Sequence, residues 1–291
     1  MADGIHYSRC MTYPSHTVDI PVGTLTFEVT ISGPPDGAPV MLLHGFPESA
    51  ESWVTVASHL HSAGFQTFIP NQRGYSPAAR PNGIDNYRID HLVDDALGLL
   101  NALKIDTIHL VGHDWGAVVG WFLAARHPAK LTTFTAVSSP HPAAFGWAAV
   151  HDADQQKRST YFRLFRTPIE AEESLLGHGG SVFRSFFGDA VKPAVIEQYL
   201  ARQSSPGALT ASLNWYRAMT RDFADLGPVT VPTTYIWSTD DAFLGHAAAM
   251  RCGDHVTADY ELAIVEGASH WLPEQEPDFV ASAIKKRIGC C

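Results

Sequence analysis

Cysteine is scarce in this chain of 291 residues, and the shortage excludes two classes of protein. The cysteines are Cys10, Cys252, Cys290 and Cys291. A disulfide framework needs more cysteines at closer spacing, and a thiolate zinc site needs C-x-x-C repeats that this chain lacks. The four cysteines are therefore expected to be free thiols.

Basic residues are also few, with 20 lysines and arginines against 30 aspartates and glutamates and a formal net charge of −10. This balance argues against a nucleic-acid partner, because phosphate backbones reward basic surfaces. The chain shows no secretory leader pattern and no apolar run of membrane-spanning length, so a soluble cytoplasmic protein without a membrane anchor is expected. Its fifteen histidines form no H-E-x-x-H pattern, so we expect neither a metal nor a cofactor.

What the chain does have is a regular alternation of short apolar runs and helix-compatible stretches. The apolar runs lie near residues 40–44, 66–69, 107–111, 133–137, 233–237 and 260–265. The helix-compatible stretches between them lie near residues 50–63, 91–103 and 115–126. This α/β pattern predicts a mostly parallel central sheet with helices on both faces and a site at the carboxyl ends of the strands. An antiparallel pair, residues 17–22 and 24–31, is expected to precede it.

The alternation stops between about residues 140 and 225. That segment holds helix-compatible, aromatic-rich stretches at residues 152–165, 191–202 and 209–219, and a glycine-rich stretch at 175–181 that we expect to be a loop. We predict a core domain of residues 1–139 and 226–291, interrupted after its sixth strand by a helical cap of residues 140–225.

The pentapeptide Gly112-His113-Asp114-Trp115-Gly116 has the spacing of a nucleophile elbow, with aspartate where serine is usual. Glycines on both sides let the backbone turn sharply from strand into helix and hold one side chain exposed above the sheet. An apolar run precedes the pentapeptide and a helical stretch follows it. Asp114 is therefore the predicted nucleophile.

A carboxylate nucleophile suits attack on an sp3 carbon, which forms an alkyl ester that water must then cleave. The second step needs a histidine to activate water and an acid to orient that histidine. His270 follows a late apolar run, in the expected chain order of nucleophile, acid and histidine. The acid should follow the run at 233–237, where Asp240 and Asp241 are adjacent and spacing does not separate them.

These motifs resemble the epoxide hydrolases of the α/β-hydrolase family, which have the haloalkane dehalogenases as close relatives. The resemblance runs from about residue 18 to residue 280. It rests on the stretches His44-Gly45-Phe46-Pro47, Arg73-Gly74-Tyr75-Ser76, Gly112 to Gly116 and Ser269-His270-Trp271. It implies an α/β-hydrolase fold and selects Asp241 as the acid, although Ala242 stands where the family often has proline and Ser238 where it usually has glycine.

The turn at residues 44–47 is expected to supply an oxyanion hole, made by the backbone N–H groups of Phe46 and Trp115. The resemblance also implies a cis Phe46–Pro47 bond. His44, Pro47 and Trp115 are expected to contribute to substrate binding.

Two tyrosines distinguish an enzyme that opens epoxides from one that removes a halide. An epoxide oxygen leaves as an alkoxide that needs a proton donor, and a phenol remains protonated at neutral pH. The segment around Tyr216 is similar to the family's second lid tyrosine, and the segment around Tyr161 to the first. Phe46 also differs from the asparagine that dehalogenases commonly carry at its position. Tyr161 and Tyr216 are therefore predicted to bind substrate and donate protons.

The sequence thus predicts an epoxide hydrolase that uses a small apolar epoxide and water and is a monomer or a homodimer. The alternatives are a haloalkane dehalogenase with the same Asp114, His270 and Asp241, or a catalytically silent protein of this fold that binds a small ligand.

Overall fold

The computed structural model describes residues 13–289, apart from the side chains of residues 221 and 222. Its centre is one sheet of eight strands. The strands are β1 (His16–Val22), β2 (Leu25–Ser32), β3 (Ala38–Leu43), β4 (Phe65–Pro70), β5 (Ile108–His113), β6 (Leu131–Val137), β7 (Thr233–Ser238) and β8 (Tyr260–Val265). Cys10, Cys290 and Cys291 lie outside the described residues, whereas Cys252 is a buried free thiol.

The strand order across the sheet is β1-β2-β4-β3-β5-β6-β7-β8. β2 pairs antiparallel with both β1 and β4, while every pair from β4 to β8 is parallel. Parallel neighbours put the carboxyl ends of β3, β5, β6, β7 and β8 along one edge of the sheet. The loops that carry the predicted site all leave from that edge.

Twelve α-helices surround and extend the sheet in the described part of the chain. They are α1 (Val54–Ser62), α2 (Ile89–Ala102), α3 (Trp115–Arg126), α4 (Pro142–His151), α5 (Ala153–Arg158), α6 (Tyr161–Phe165), α7 (Glu170–Ser185), α8 (Pro193–Gln203), α9 (Ala208–Arg217), α10 (His246–Arg251), α11 (Leu272–Gln275) and α12 (Pro277–Ile288). Six of them, α4 to α9, lie between β6 and β7 and are called here the inserted helices.

The apolar core has two layers because successive side chains of a strand point to opposite faces. In β3, Val40 and Leu42 join the cluster beneath α1 and α12, whereas Met41 and Leu43 join the cluster beneath α2 and α3. The sheet is therefore covered on both sides, as buried parallel sheets generally are.

The predicted fold class is confirmed, and each predicted strand coincides with an observed one to within a few residues. The glycine-rich stretch differs from its prediction as a simple loop. It interrupts α7, where residues 177–180 leave helical geometry and His178, Gly179 and Gly180 have positive φ. Glycine loses more backbone entropy in a helix than other residues, so the helix breaks there and resumes afterwards. Helices α4, α7, α10, α11 and α12 lie outside the predicted helical stretches.

None of the helices described within residues 13–289 is long and apolar enough to cross a membrane. Over the same residues, the acidic, histidine and cysteine side chains form no group of three that could hold a metal ion.

Candidate active site

Asp114 occupies a strained turn between β5 and α3. Its backbone φ is 49°, in the region that favours glycine. A Cβ on Gly112 would come within 2.3 Å of the Gly116 carbonyl oxygen, and a Cβ on Gly116 within 2.1 Å of that of Leu43. The two glycines therefore permit a turn that no larger residue would fit, and strain of this kind commonly marks functional sites.

The Asp114 carboxylate is held by one backbone donor and faces one histidine. The N–H of Phe46 donates to Oδ1 over 2.8 Å, while Oδ2 lies 3.6 Å from Nε2 of His270. The Phe46–Pro47 bond is cis, and Gly45 packs so tightly that a Cβ there would meet the Asp114 side chain at 2.4 Å. The turn after β3 is thus fitted against the nucleophile candidate.

His270 lies between two carboxylates. Its Nδ1 is 2.7 Å from Oδ2 of Asp241, on the side away from Asp114. Burial alone would lower the pKa of His270, but the charges and hydrogen bonds of Asp241 and Asp114 raise it to about 10. Burial would raise the pKa of Asp114, yet the hydrogen bond and charge of His270 lower it. In the free protein, an imidazolium and an Asp114 carboxylate are therefore the favoured pair.

Burial separates the two candidate acids that spacing left open. Asp241 is fully buried, and its Oδ1 accepts hydrogen bonds from the N–H groups of Phe243 and Leu244 over 2.7 and 3.0 Å. Asp240 is exposed, and its backbone N–H donates a hydrogen bond to the Ala268 carbonyl oxygen. Only Asp241 is positioned to orient His270.

The two predicted tyrosines belong to the inserted helices and line the same cavities as Asp114. Tyr161 starts α6 and Tyr216 lies near the end of α9, with ring centroids 6.2 Å apart. Burial, followed by the charge of Asp114, raises the pKa of both phenols well above the usual value. Both hydroxyls are therefore neutral donors near physiological pH. The ring of Trp115 packs edge-on against Tyr216 at 5.1 Å.

Two cavities meet at Asp114, Tyr161 and Tyr216, which line both of them. The first has a volume of about 200 Å³ and an apolar wall that includes Trp115, Phe145, Phe162 and Phe223. The second has a volume of about 20 Å³. Its wall includes Phe46, Pro47, Phe186, Phe243, His270 and Trp271. We call them the large arm and the small arm.

His44 lies outside both arms. Its ring is fully buried behind the turn, where Nδ1 lies 3.0 Å from the Gly45 carbonyl oxygen and Nε2 accepts from the N–H of Gln72 over 3.2 Å. Burial lowers the pKa of His44 to about 4. His44 is therefore part of the turn and lines neither arm, in contrast to Pro47 and Trp115, which line an arm each.

Sequence reasoning missed a buried polar chain behind His270. His113 Nε2 lies 2.9 Å from the His270 carbonyl oxygen, so Nε2 carries the ring proton and Nδ1 accepts. Nδ1 lies 2.8 Å from Oε2 of Glu48. Burial lowers the pKa of His113 to about 4 and raises that of Glu48 to about 7. Both pKa shifts agree with a neutral His113 that accepts a hydrogen bond from a protonated Glu48.

The chain continues from Glu48 to Glu274 and Tyr199. Oε1 of Glu48 and Oε2 of Glu274 are buried without a donor within the described residues, while the two carboxyl groups interact with each other. Burial and the charge of Glu48 hold the pKa of Glu274 well above its usual range. A proton on Glu274 would satisfy both oxygens, and Tyr199 donates to Glu274 Oε1 over 2.9 Å. Glu48 directly follows the motif at residues 44–47, but nothing in the spacing connects it to Glu274.

A second missed residue is Gln155 in α5, which is fully buried. Its Nε2 donates to the Phe243 carbonyl oxygen over 2.8 Å, and its Oε1 accepts from the N–H of Gly245 over 2.8 Å. Arg158, one turn later, donates to the Asp241 carbonyl oxygen. One inserted helix therefore holds the loop that carries Asp241.

A strained acidic elbow after the fifth strand of such a sheet, facing a buried histidine–aspartate pair, defines an α/β-hydrolase type of protein. A family model described as alpha/beta hydrolase fold matches residues 38–277. The chain therefore belongs to the α/β hydrolase family, in the group that includes the epoxide hydrolases.

Individual relatives agree with this assignment. The AB hydrolase superfamily protein YfhM of Bacillus subtilis is 35% identical over 89% of this chain and 93% of its own length. Epoxide hydrolase A of Mycobacterium tuberculosis is 31% identical over 85% of this chain and 89% of its own length. Among solved structures, epoxide hydrolase A from Mycobacterium thermoresistibile shares the fold with a TM-score of 0.83 and 24% identity, over 94% of this chain and 98% of that one.

Proposed function

We propose that this hydrolase converts an epoxide to a vicinal diol through a covalent ester on Asp114, without a cofactor. The observation that carries the proposal is the position of Asp114 at the meeting point of two arms, with His270 on one side and two neutral phenols facing it. The relatives named epoxide hydrolases support the same reaction class.

In the first step, an Asp114 oxygen attacks a ring carbon and the C–O bond of the epoxide breaks. The oxygen that leaves takes a proton from Tyr161 or Tyr216. A phenol donor fits this demand because an alkoxide is a poor leaving group without protonation. The apolar wall of the large arm excludes bulk water from the reacting atoms.

In the second step, water attacks the carbonyl carbon of the ester. Esterification removes the charge of Asp114, which is one cause of the raised pKa of His270, so the imidazolium can give its proton to the phenolate left by the first step and then act as a base. The N–H of Phe46, already bonded to Asp114, and the N–H of Trp115 then stabilise the oxyanion. His270 takes one proton from the attacking water, which restores the imidazolium, and the other water proton passes to the ester oxygen as its bond to the Asp114 carbonyl carbon breaks, so the diol leaves and Asp114 is again a carboxylate.

The inserted helices serve as the cap in this proposal, with boundaries at residues 140 and 225. Tyr161 and Tyr216 are both carried by them, so the cap supplies the proton donors and the core supplies the nucleophile and base. The cytoplasmic location and the monomeric or homodimeric state remain predictions.

The test is product analysis on a panel of aryl and alkyl epoxides and haloalkanes, with Asp114→Asn as the matched isosteric variant. Diol formed by the native protein and lost in Asp114→Asn is the expected result, with the alkyl-enzyme ester detectable by mass spectrometry under rapid quench. Diol formation that persists in Asp114→Asn would refute the nucleophile. Halide release without diol would assign the haloalkane dehalogenase alternative, and binding without turnover would assign the silent one.

A further inference from the structure

The two arms that meet at Asp114 differ about tenfold in volume, about 200 Å³ against about 20 Å³. Any epoxide held for attack must place its ring oxygen at Tyr161 and Tyr216 and one of its carbons at Asp114. Its substituents must then extend into the arms. The shape of the site therefore limits how substituents are distributed over the two ring carbons.

The large arm has room for an aryl or branched alkyl group. An apolar protein cavity of about 150 Å³ is enough to bind benzene, and the large arm exceeds that volume. Its aromatic wall, with Phe145, Phe162 and Phe223, suits such a group.

The small arm has room for about one water molecule, since a water needs roughly 10–15 Å³ of accessible volume. Its wall is fixed by packing: Trp271 Nε1 donates to the Phe186 carbonyl oxygen over 2.9 Å, and the Phe243 ring lies 5.0 Å from that of His270. His270 faces this space. In the proposed mechanism it is the place of the hydrolytic water, which a substituent would displace.

We infer that this protein acts on epoxides with bulk at one ring carbon only, that is, on terminal aryl or alkyl epoxides. The inference rests on the proposed function. An epoxide with large groups on both carbons in trans would have to put one of them into the small arm, against Phe186 and Phe243 and in the space of the water.

The experiment compares kcat/KM for diol formation from styrene oxide and from trans-stilbene oxide. We expect the ratio to exceed about 100-fold, since steric mismatch of even a single methylene is worth up to about that factor. Phe186→Ala enlarges the small arm and should lower the ratio of the two kcat/KM values at least about tenfold. The matched Phe145→Ala enlarges only the large arm and should not lower that ratio. Circular dichroism and cooperative unfolding in urea establish that both variants fold.

Comparable kcat/KM values for the two epoxides would overturn the inference while the proposed function stood. The inference would also fall if Phe145→Ala, and not Phe186→Ala, admitted trans-stilbene oxide. Absence of diol from every epoxide, terminal ones included, would overturn the proposed function and the inference together.

Discussion

His270 and Asp241 are joined by a buried 2.7 Å contact between Nδ1 and Oδ2, and the same aspartate accepts two backbone N–H groups through its other oxygen. The ring can therefore present only Nε2 to Asp114 and to the small arm. This fixed orientation makes the adjacent Asp240 a natural comparison, because it differs from Asp241 in burial and not in residue type.

Asp241→Asn should lower kcat for epoxide hydrolysis by about 10³- to 10⁴-fold, because an amide favours the wrong tautomer of the histidine. Asp240→Asn should stay within about twofold, as expected of an exposed side chain. Steady-state kinetics with a terminal epoxide makes the comparison. Equal losses in the two variants would show that the loop, and not the buried contact, determines activity.

The charge on His270 should make the stability depend on alkaline pH. The folded-state pKa of about 10 lies above the unfolded value near 6.5, so the stabilisation is complete below about pH 6.5 and is lost as pH rises through about 10. We expect the free energy of unfolding in urea to fall between about pH 7 and pH 10, with a smaller fall in His270→Gln. Identical slopes for the two proteins would contradict the raised pKa.

The two phenols should act together in ring opening. Tyr161→Phe and Tyr216→Phe each retain one donor, so each should lose about 10- to 100-fold in kcat/KM, and the double variant about 10³-fold or more. The fold should persist because phenylalanine fills the same apolar space. Single-turnover measurement of ester formation locates the loss in the first step. A double variant with native rates would reassign both residues to packing.

The site divides into what a local sequence pattern specifies and what only the fold brings together. The elbow at Asp114 and the loop at His270 were predictable because each combines a glycine turn or an apolar run with the residue that reacts. Asp241 was separable from Asp240 only through burial, which depends on how the loop folds. Gln155 forms hydrogen bonds with Phe243 and Gly245, which lie about ninety residues later in the sequence. No local sequence pattern predicts such a contact.

The buried carboxyl groups of Glu48 and Glu274 should make the protein less stable at high pH. Burial raises the pKa of Glu48 to about 7, and burial together with the charge of Glu48 raises the pKa of Glu274 well above its usual range. The stability that the protonated carboxyl groups contribute is therefore complete below their pKa in the unfolded state, and it is lost as pH rises through their pKa in the folded state. Glu274→Gln supplies a permanent N–H donor to Glu48, so we expect a smaller loss of unfolding free energy as pH rises above about 4.5, the usual pKa of the carboxyl group, than in the native protein.

Glu274→Ala is the contrasting variant, because it removes the donor and leaves Glu48 without a partner. It should be destabilised by about 1–3 kcal/mol at neutral pH, the usual range for a buried polar group left unsatisfied. Urea unfolding at several pH values measures both variants. A Glu274→Gln profile as steep as the native one would show that the two carboxyl groups share no proton.

Gln155 offers the sharpest test of whether an inserted helix positions the acid. Gln155→Ala leaves the Phe243 carbonyl and the Gly245 N–H without their partner, so a loss of about 1–3 kcal/mol in unfolding free energy is expected. The side chain of the neighbouring Gln156 is exposed and donates to the Val150 carbonyl oxygen, so Gln156→Ala should change stability by less than about 0.5 kcal/mol.

The activity of Gln155→Ala distinguishes positioning from general stability. If Gln155 holds the Asp241 loop in register with His270, kcat should fall about tenfold at a temperature where the variant is fully folded, while KM changes little, because the substrate binds in the large arm. The hydrolysis step should slow more than ester formation, since only the second step needs an oriented His270, and rapid-quench analysis should detect more ester at steady state. Native kcat in a folded Gln155→Ala protein would show that Asp241 keeps its position through its own bonds to Phe243 and Leu244, with the helix contributing stability alone.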